Sequence, residues 1–225
     1  MALRIGTCSW KFPSWAGLVY SEPEPPNYLK EYAQKYATVE IDQWFWSLFG
    51  PDTIRLPDEA TVQEYAASVS GDFRFTIKAA NSITLTHIYA KAKKNAGEPN
   101  SRFLDPELVG KFLDRLEPLR PRTDAVMFQF EYLNKKKMSS MGTLIDHLHQ
   151  FFDSLPDGWL FAVELRNPNY LKRPYFELLQ EHGIAHVFSQ GYFMPAIAEL
   201  YSYYKDVLTP HSVIRLMGPD RSGIE

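Results

Sequence analysis

Cys8 is the only cysteine in this chain of 225 residues. A lone thiol excludes an intrachain disulfide and a cysteine metal cluster. Its place in an apolar run, Leu3 to Trp10, predicts a packed and inert side chain. Long apolar stretches are missing as well: no run approaches the roughly 20 residues that a membrane helix needs. The strand pattern that starts at Met1-Ala2-Leu3-Arg4-Ile5-Gly6 leaves no room for a signal peptide, so the expectation is a cytoplasmic protein with no membrane partner. Charge of one sign is also scarce. A net charge of −3 excludes a chain-wide attraction for nucleic acid and leaves only a local basic face to consider. No G-x-G-x-x-G phosphate turn follows the first strand, and there is no serine nucleophile elbow.

What is present is apolar and aromatic: 45% hydrophobic and 15% aromatic residues suffice for one sizeable core, and the chain reads as a single domain over residues 1–225. Strands and helices alternate along it. Strands are predicted at Leu3 to Trp10, Thr38 to Phe45, Phe73 to Ala79, Asp124 to Phe130, Leu160 to Arg166, Ile184 to Gln190 and His211 to Met217. Asn27 and Asp105 stand where helix caps belong, Pro57-Asp58-Glu59 opens a helix between them, and Pro106 fits the first turn of its own. One connection, Ala80 to about Leu104, is far longer than the usual two to six residues and has the length of a functional loop. Seven βα units in strict alternation imply a parallel sheet, and the absence of a phosphate turn favours a TIM-type (β/α)8 barrel over an open doubly wound sheet. The eighth unit is not visible in the sequence.

Strand parity turns the polar residues into a site. Side chains two apart share a face, and the inward face of a barrel strand is normally filled by branched apolar residues. Here Glu40 and Asp42 share a face on the second strand, Thr76 and Lys78 on the third, and Glu164 and Arg166 on the fifth, while Arg215 stands near the end of the seventh. All lie toward the C-terminal ends of their strands, where a barrel carries its active site. The plain alternative is a salt-bridge network filling a polar barrel mouth.

Seven pieces in order carry a family resemblance: Gly6-Thr7-Cys8-Ser9-Trp10 with Trp15, Val39-Glu40-Ile41-Asp42 with Phe45, Phe73-Arg74-Phe75-Thr76-Ile77-Lys78, Thr86-His87, Phe128-Gln129-Phe130, Val163-Glu164-Leu165-Arg166, and Ile214-Arg215-Leu216 with Gly218. Together they resemble the DUF72 (YecE-like) family. The resemblance implies a TIM barrel and names no reaction. Against the family pattern, Asp42 replaces an asparagine, Met217 a histidine, and Ser189-Gln190 an acid near the end of strand six. Glu225 follows directly on the seventh strand, where the family continues through an eighth strand and a last helix; a barrel without them has an open seam and an edge that needs covering.

Three chemistries fit these residues. In the first, Glu40, Asp42, Glu164 and His87 hold a divalent ion that activates water or polarises a substrate oxygen. In the second, no metal is needed. Arg166 and Arg215 hold a small anionic or phosphate-bearing substrate, Lys78 acts as base, electrophile or Schiff-base former, and Glu40 or Glu164 moves protons; Gln129 and Trp10 complete the substrate contacts. A glycosidase built on Glu40 and Glu164 is a variant that carboxylate spacing decides. The third is nucleic-acid binding by Lys91, Lys93, Lys94, Arg102 and Lys135, Lys136, Lys137 around Trp10, Trp15, Trp44, Trp46, Tyr89, Tyr132 and Tyr170. The second reading is favoured, with Glu40, Lys78 and Glu164 in catalytic roles, and nucleic acid is the runner-up. His147 and His149, two apart on a helix, do not share a face, and His182 and His186 read as structural. The sequence names no cofactor and no oligomeric state.

Overall fold

The computed structural model describes residues 3–50, 53–89, 97–191 and 193–217. Its elements in chain order are β1 (Gly6–Thr7), α1 (Tyr28–Tyr32), β2 (Thr38–Ile41), β3 (Leu48–Gly50), β4 (Thr53–Ile54), α2 (Glu59–Ser68), β5 (Arg74–Lys78), α3 (Asn81–Thr84), α4 (Pro106–Leu116), β6 (Thr123–Phe130), α5 (Met141–Asp153), β7 (Phe161–Leu165), α6 (Arg173–Glu181), β8 (Ala185–Gln190), α7 (Ile197–Tyr204) and β9 (Ser212–Leu216). Helix starts follow the side chains. Asn27 accepts a hydrogen bond from the Lys30 amide, Asp58 from Thr61, and Asp105 from Glu107 and Leu108, satisfying amides that a first helical turn leaves unpaired.

Seven strands form one parallel sheet in the order β1-β2-β5-β6-β7-β8-β9. A doubly wound sheet reverses its order at a switch point; this one never does, so every crossover carries the sheet the same way and the sheet curls. The curl is closed enough for Arg215 on β9 to bond Glu40 on β2. The described structure is a curled half-barrel whose edges, β1 and β9, share no ladder. Where β1 meets β2 the backbones are close: a Cβ on Gly6 would stand 2.0 Å from the Thr38 carbonyl oxygen, so only glycine fits.

The two faces of the sheet are packed differently. Val39, Ile41, Phe75, Ile77, Phe128 and Val163 face the helices in the main core, which α4 enters with Leu108, Val109, Phe112, Leu113 and Leu116. The inner face holds a smaller cluster of Ala125, Met127, Ala162, Ala185 and Val187. Toward the C-terminal ends of the strands this apolar lining gives way to charged side chains.

Two expectations are corrected. The first strand is two residues long and Cys8 is exposed beyond it, so the thiol is not packed into a strand. Burial around the sulfur and the Glu40 carboxylate still push its pKa up, away from thiolate. An antiparallel hairpin, Leu48 paired with Ile54, interrupts the β2-to-α2 connection where only a chain break was expected. Lys91, Lys93 and Lys94 lie outside the described residues, as does Gly218.

His186 on β8 is buried against Tyr175, Phe176 and Phe188, and that burial lowers its pKa to about 3. The unfolded chain gains this proton near pH 6.5. Between those values the unfolded state binds more protons, so stability falls as the pH falls. The expected slope from this residue is about 1.4 kcal/mol per pH unit. Urea denaturation of wild type and His186→Leu at pH 7 and pH 5 checks it: the wild type should lose more stability on acidification than the variant.

Candidate functional site

Five strands deliver one side chain each to the inner face one turn of pleat from their C-terminal ends or at the end itself: Glu40 from β2, Lys78 from β5, Gln129 from β6, Glu164 from β7 and Arg215 from β9. Strand register sets their heights. Glu164 is paired with Gln129, and Arg215 with Ser189. The period-2 alternation that places apolar residues against the helices necessarily turns these five inward.

Arg215 is the hub. Its Nε and Nη2 donate to Oε2 and Oε1 of Glu40 at 2.9 and 3.0 Å, a two-pronged pair, and its Nη1 donates to Glu164 Oε2 at 2.7 Å. Arg166 takes the other Glu164 oxygen at 2.8 Å, and the Gln129 carbonyl oxygen accepts from Arg166 at 3.0 Å and from Arg215 at 3.4 Å. These are buried charges: the side chain of Glu164 is 1% exposed, Glu40 9% and Arg215 11%. Burial lifts Glu40 above the ordinary glutamate range, outweighing the opposite pull of Arg215. Burial works against the charged guanidinium of Arg215 too, but Glu40 and Glu164 more than offset it and raise its pKa.

Lys78 stands apart. Its Nζ lies 3.8 Å from the centre of the Phe45 ring, a cation–π contact, and no described carboxylate comes within ion-pair distance of it. Burial lowers its pKa, the neighbouring positive charge of Arg215 adds to that, and Glu40 and Glu164 oppose it. Both acids that would neutralise it are already committed to arginine. An aromatic line continues outward from the same ring: Phe45 meets Trp46 at 5.1 Å, and Trp46 meets Tyr89 at 5.0 Å.

The remaining predicted residues are scattered. Asp42 follows β2, is half-buried and makes no side-chain hydrogen bond to a described residue; its carbonyl accepts from the Phe45 amide. His87 is half-buried in the connection after α3, where its Nδ1 is 2.9 Å from the Thr86 hydroxyl and its backbone bridges Pro99. Trp10 is buried in the helix-side core, edge-on to Tyr65 at 4.9 Å. The four ligands imagined for a divalent ion, Glu40, Asp42, Glu164 and His87, do not converge. Among the described residues the one group of three potential metal ligands lies elsewhere, at His149, Asp153 and His182.

Sequence reasoning missed the parts that hold the surrounding loops. Asn167, fully buried, accepts from the Leu133 amide and donates to the Leu133 carbonyl, tying the loop after β7 to the loop after β6. Asn81 accepts from the Ser47 and Leu48 amides, and Asn100 donates to the Ser82 and Leu85 carbonyls. An asparagine between elements reads as a turn or cap, and no local signal marks it as a buried strut. Ser189 faces the same interior as Arg215, and its buried hydroxyl has no hydrogen-bond partner among the described residues.

Residues 4–224 match the profile of the family described as "Protein of unknown function DUF72". The chain belongs to the DUF72 family. UPF0759 protein YecE of Escherichia coli (strain K12) is 26% identical over 183 residues, which cover 81% of this chain and 55% of YecE; the sequence of that name from strain O157:H7 matches equally. The chain thus spans about half the length of the curated relatives it matches. Among solved structures, a DUF72 family protein of Thermotoga maritima MSB8 superposes with a TM-score of 0.63 at 22% identity, covering 97% of this chain and 75% of that one. One from Enterococcus faecalis V583 gives 0.62 at 21%, covering 99% and 73%. These likenesses concern the DUF72 fold and carry no activity with them.

Replacing Arg215 by methionine strands the buried carboxylate of Glu40 and leaves Glu164 with Arg166 alone, and breaking a buried pair in this way costs about 3–5 kcal/mol. In the variant, carboxyls held protonated above their unfolded pKa make stability fall as the pH rises. Arg215→Met should therefore be far less stable than wild type at pH 7 and recover part of the difference at pH 5, as read by urea denaturation.

Proposed function

We propose that the charged end of the half-barrel is the pocket of an enzyme acting on a small anionic or phosphate-bearing substrate, with Lys78 as the group that meets it. The observation that carries this reading is the unshared charge of Lys78. Each carboxylate oxygen of Glu40 and Glu164 already accepts from Arg215 or Arg166, so an arriving anion finds one buried ammonium with no described carboxylate within ion-pair distance. A lysine whose pKa burial depresses is also a base or amine nucleophile nearer neutral pH than an exposed one. Arg215 and Gln129 act as positioning residues: they fix a polar floor in one geometry before the substrate arrives. Glu40, its carboxyl lifted by burial and its charge felt by Lys78, is the group assigned to exchange a proton with it. Hydrolase, lyase and isomerase chemistry are all open to this set.

We also infer that the half-barrel is the larger part of a (β/α)8 barrel completed between β9 and β1. The sequential strand order and the reach of Arg215 from the last strand to the second support it.

One observation favours the second reading, nucleic acid. Trp46, 53% exposed, and Tyr89 extend the aromatic line from Phe45 to the surface, a surface on which bases could stack while a phosphate meets Lys78. Of the lysines after β6, Lys135 and Lys136 are exposed and Lys137 pairs with Glu131.

Calorimetric titration with inorganic phosphate and a panel of small phosphorylated and carboxylated compounds tests the proposal. Binding should appear in wild type and weaken about tenfold or more in Lys78→Met, a loss of about 1.4 kcal/mol or more. Equal binding by the variant overturns the role of Lys78. Tight oligonucleotide binding that falls steeply with salt, lost in Trp46→Ala, selects the second reading instead.

A further inference from the structure

On the opposite side of the molecule two helices end against each other. The last residue of α5 is Asp153, and the residue that caps α6 is His182. Because each helix runs back along the sheet after its strand, both C-terminal ends lie toward the N-terminal ends of the strands, away from Glu40 and Arg215. His149 and Asp153 are four apart on α5 and so share a face. Asp153 Oδ2 is 3.2 Å from His149 Nδ1, and Asp153 Oδ1 is 3.1 Å from His182 Nε2. One ligand atom from each of the three residues falls within 4.8 Å of the others. Glu181 Oε1 stands 3.9 Å from the other nitrogen of His149.

We propose that His149, Asp153 and His182 bind a divalent transition-metal ion of the zinc class, which clips α5 to α6. The tautomer of His182 argues for it. Its Nδ1 lies 3.0 Å from the Leu178 carbonyl oxygen, which can only accept, so the proton sits on Nδ1. Nε2 faces an Asp153 oxygen: as imidazolium it donates a proton there, and as neutral imidazole its lone pair and the carboxylate present two ligand atoms to a cation that replaces that proton. A histidine that donates its far N–H to a backbone carbonyl and presents the near nitrogen is the usual second-shell geometry of a zinc ligand. Ligand atoms about 2.0–2.1 Å from a tetrahedral ion lie about 3.3 Å from one another, so the three side chains, whose ligand atoms stand within 4.8 Å of each other, close in slightly as the ion enters. Two helix C-termini converge here, and their carbonyl ends favour positive charge. Phe152, packed at 5.5 Å against the His182 ring, holds that ring in place. Two imidazoles and one carboxylate suit zinc, copper or nickel rather than the all-oxygen preference of calcium and magnesium.

The tag-free full chain, purified without chelator and titrated calorimetrically with Zn2+, tests the site. Wild type should take up one ion per chain and should not bind Mg2+ at the same concentrations. His149→Ala and Asp153→Asn, both at exposed positions whose loss leaves packing intact, should bind Zn2+ at least about tenfold more weakly. His147→Ala, on the same helix and outside the cluster, should bind as wild type does. At free Zn2+ about 100 times Kd, the unfolding equilibrium of wild type should shift about 100-fold toward the folded state, and that of Asp153→Asn far less. Visible Co2+ absorption from a low-coordinate site should appear in wild type and vanish in His149→Ala. No saturable Zn2+ binding by the folded wild type, or binding that survives both His149→Ala and Asp153→Asn, overturns the proposal.

Discussion

Arg215 is bonded to strands that the chain visits early and late, and the described site depends on that reach. Its guanidinium satisfies both oxygens of Glu40 on β2 and one of Glu164 on β7 from a position on β9. The curl of the sheet and the burial of the two acids therefore support each other. Without curl the arginine could not cross the interior, and without the arginine the Glu40 carboxylate would be buried unpaired. Arg166 and Gln129 complete the network, so each oxygen of both acids already has an arginine donor. Lys78 is left as the charge that the network does not neutralise.

This division of labour separates the inner face into two roles. Small and unbranched side chains, Ala125, Ala162, Ala185 and Met127, fill the interior below, while the charged layer above is rigid because its members hold one another. Rigidity of that kind is what a binding site for a small ligand needs, since donors fixed beforehand lose little entropy when the ligand arrives. The loops around the layer are fixed by buried asparagines together with apolar packing such as that of Leu48, Leu85 and Ile88.

Much of this was legible in the sequence, because period-2 alternation and helix caps are local signals. All seven strands of the sheet were located, as were the caps at Asn27 and Asp105, and parity alone brought Glu40, Lys78, Glu164 and Arg215 to one face. Parity fails where a strand ends early: Cys8 and Trp10 were read as strand residues, yet β1 stops at Thr7 and the chain beyond it turns away. Pairing was the other blind spot. Glu164 and Arg166, two apart on one strand, were legible as a pair, but the reach of Arg215 to Glu40 and Glu164 depends on the curl of the whole sheet. Likewise His149 was compared with His147, its near neighbour in sequence, whereas its partners are Asp153 one turn on and His182 on the next helix.

The most direct measurement of the account is the titration of Lys78 itself, followed by NMR of the lysine side-chain carbons with and without inorganic phosphate, and assigned with Lys78→Met. An ammonium left unshared by the arginine-bound acids should titrate below the ordinary lysine value of about 10.4, and phosphate should move it upward. A Lys78 that titrates at or above that value and ignores phosphate would mean that its charge is already neutralised, and the central role assigned to it would be wrong.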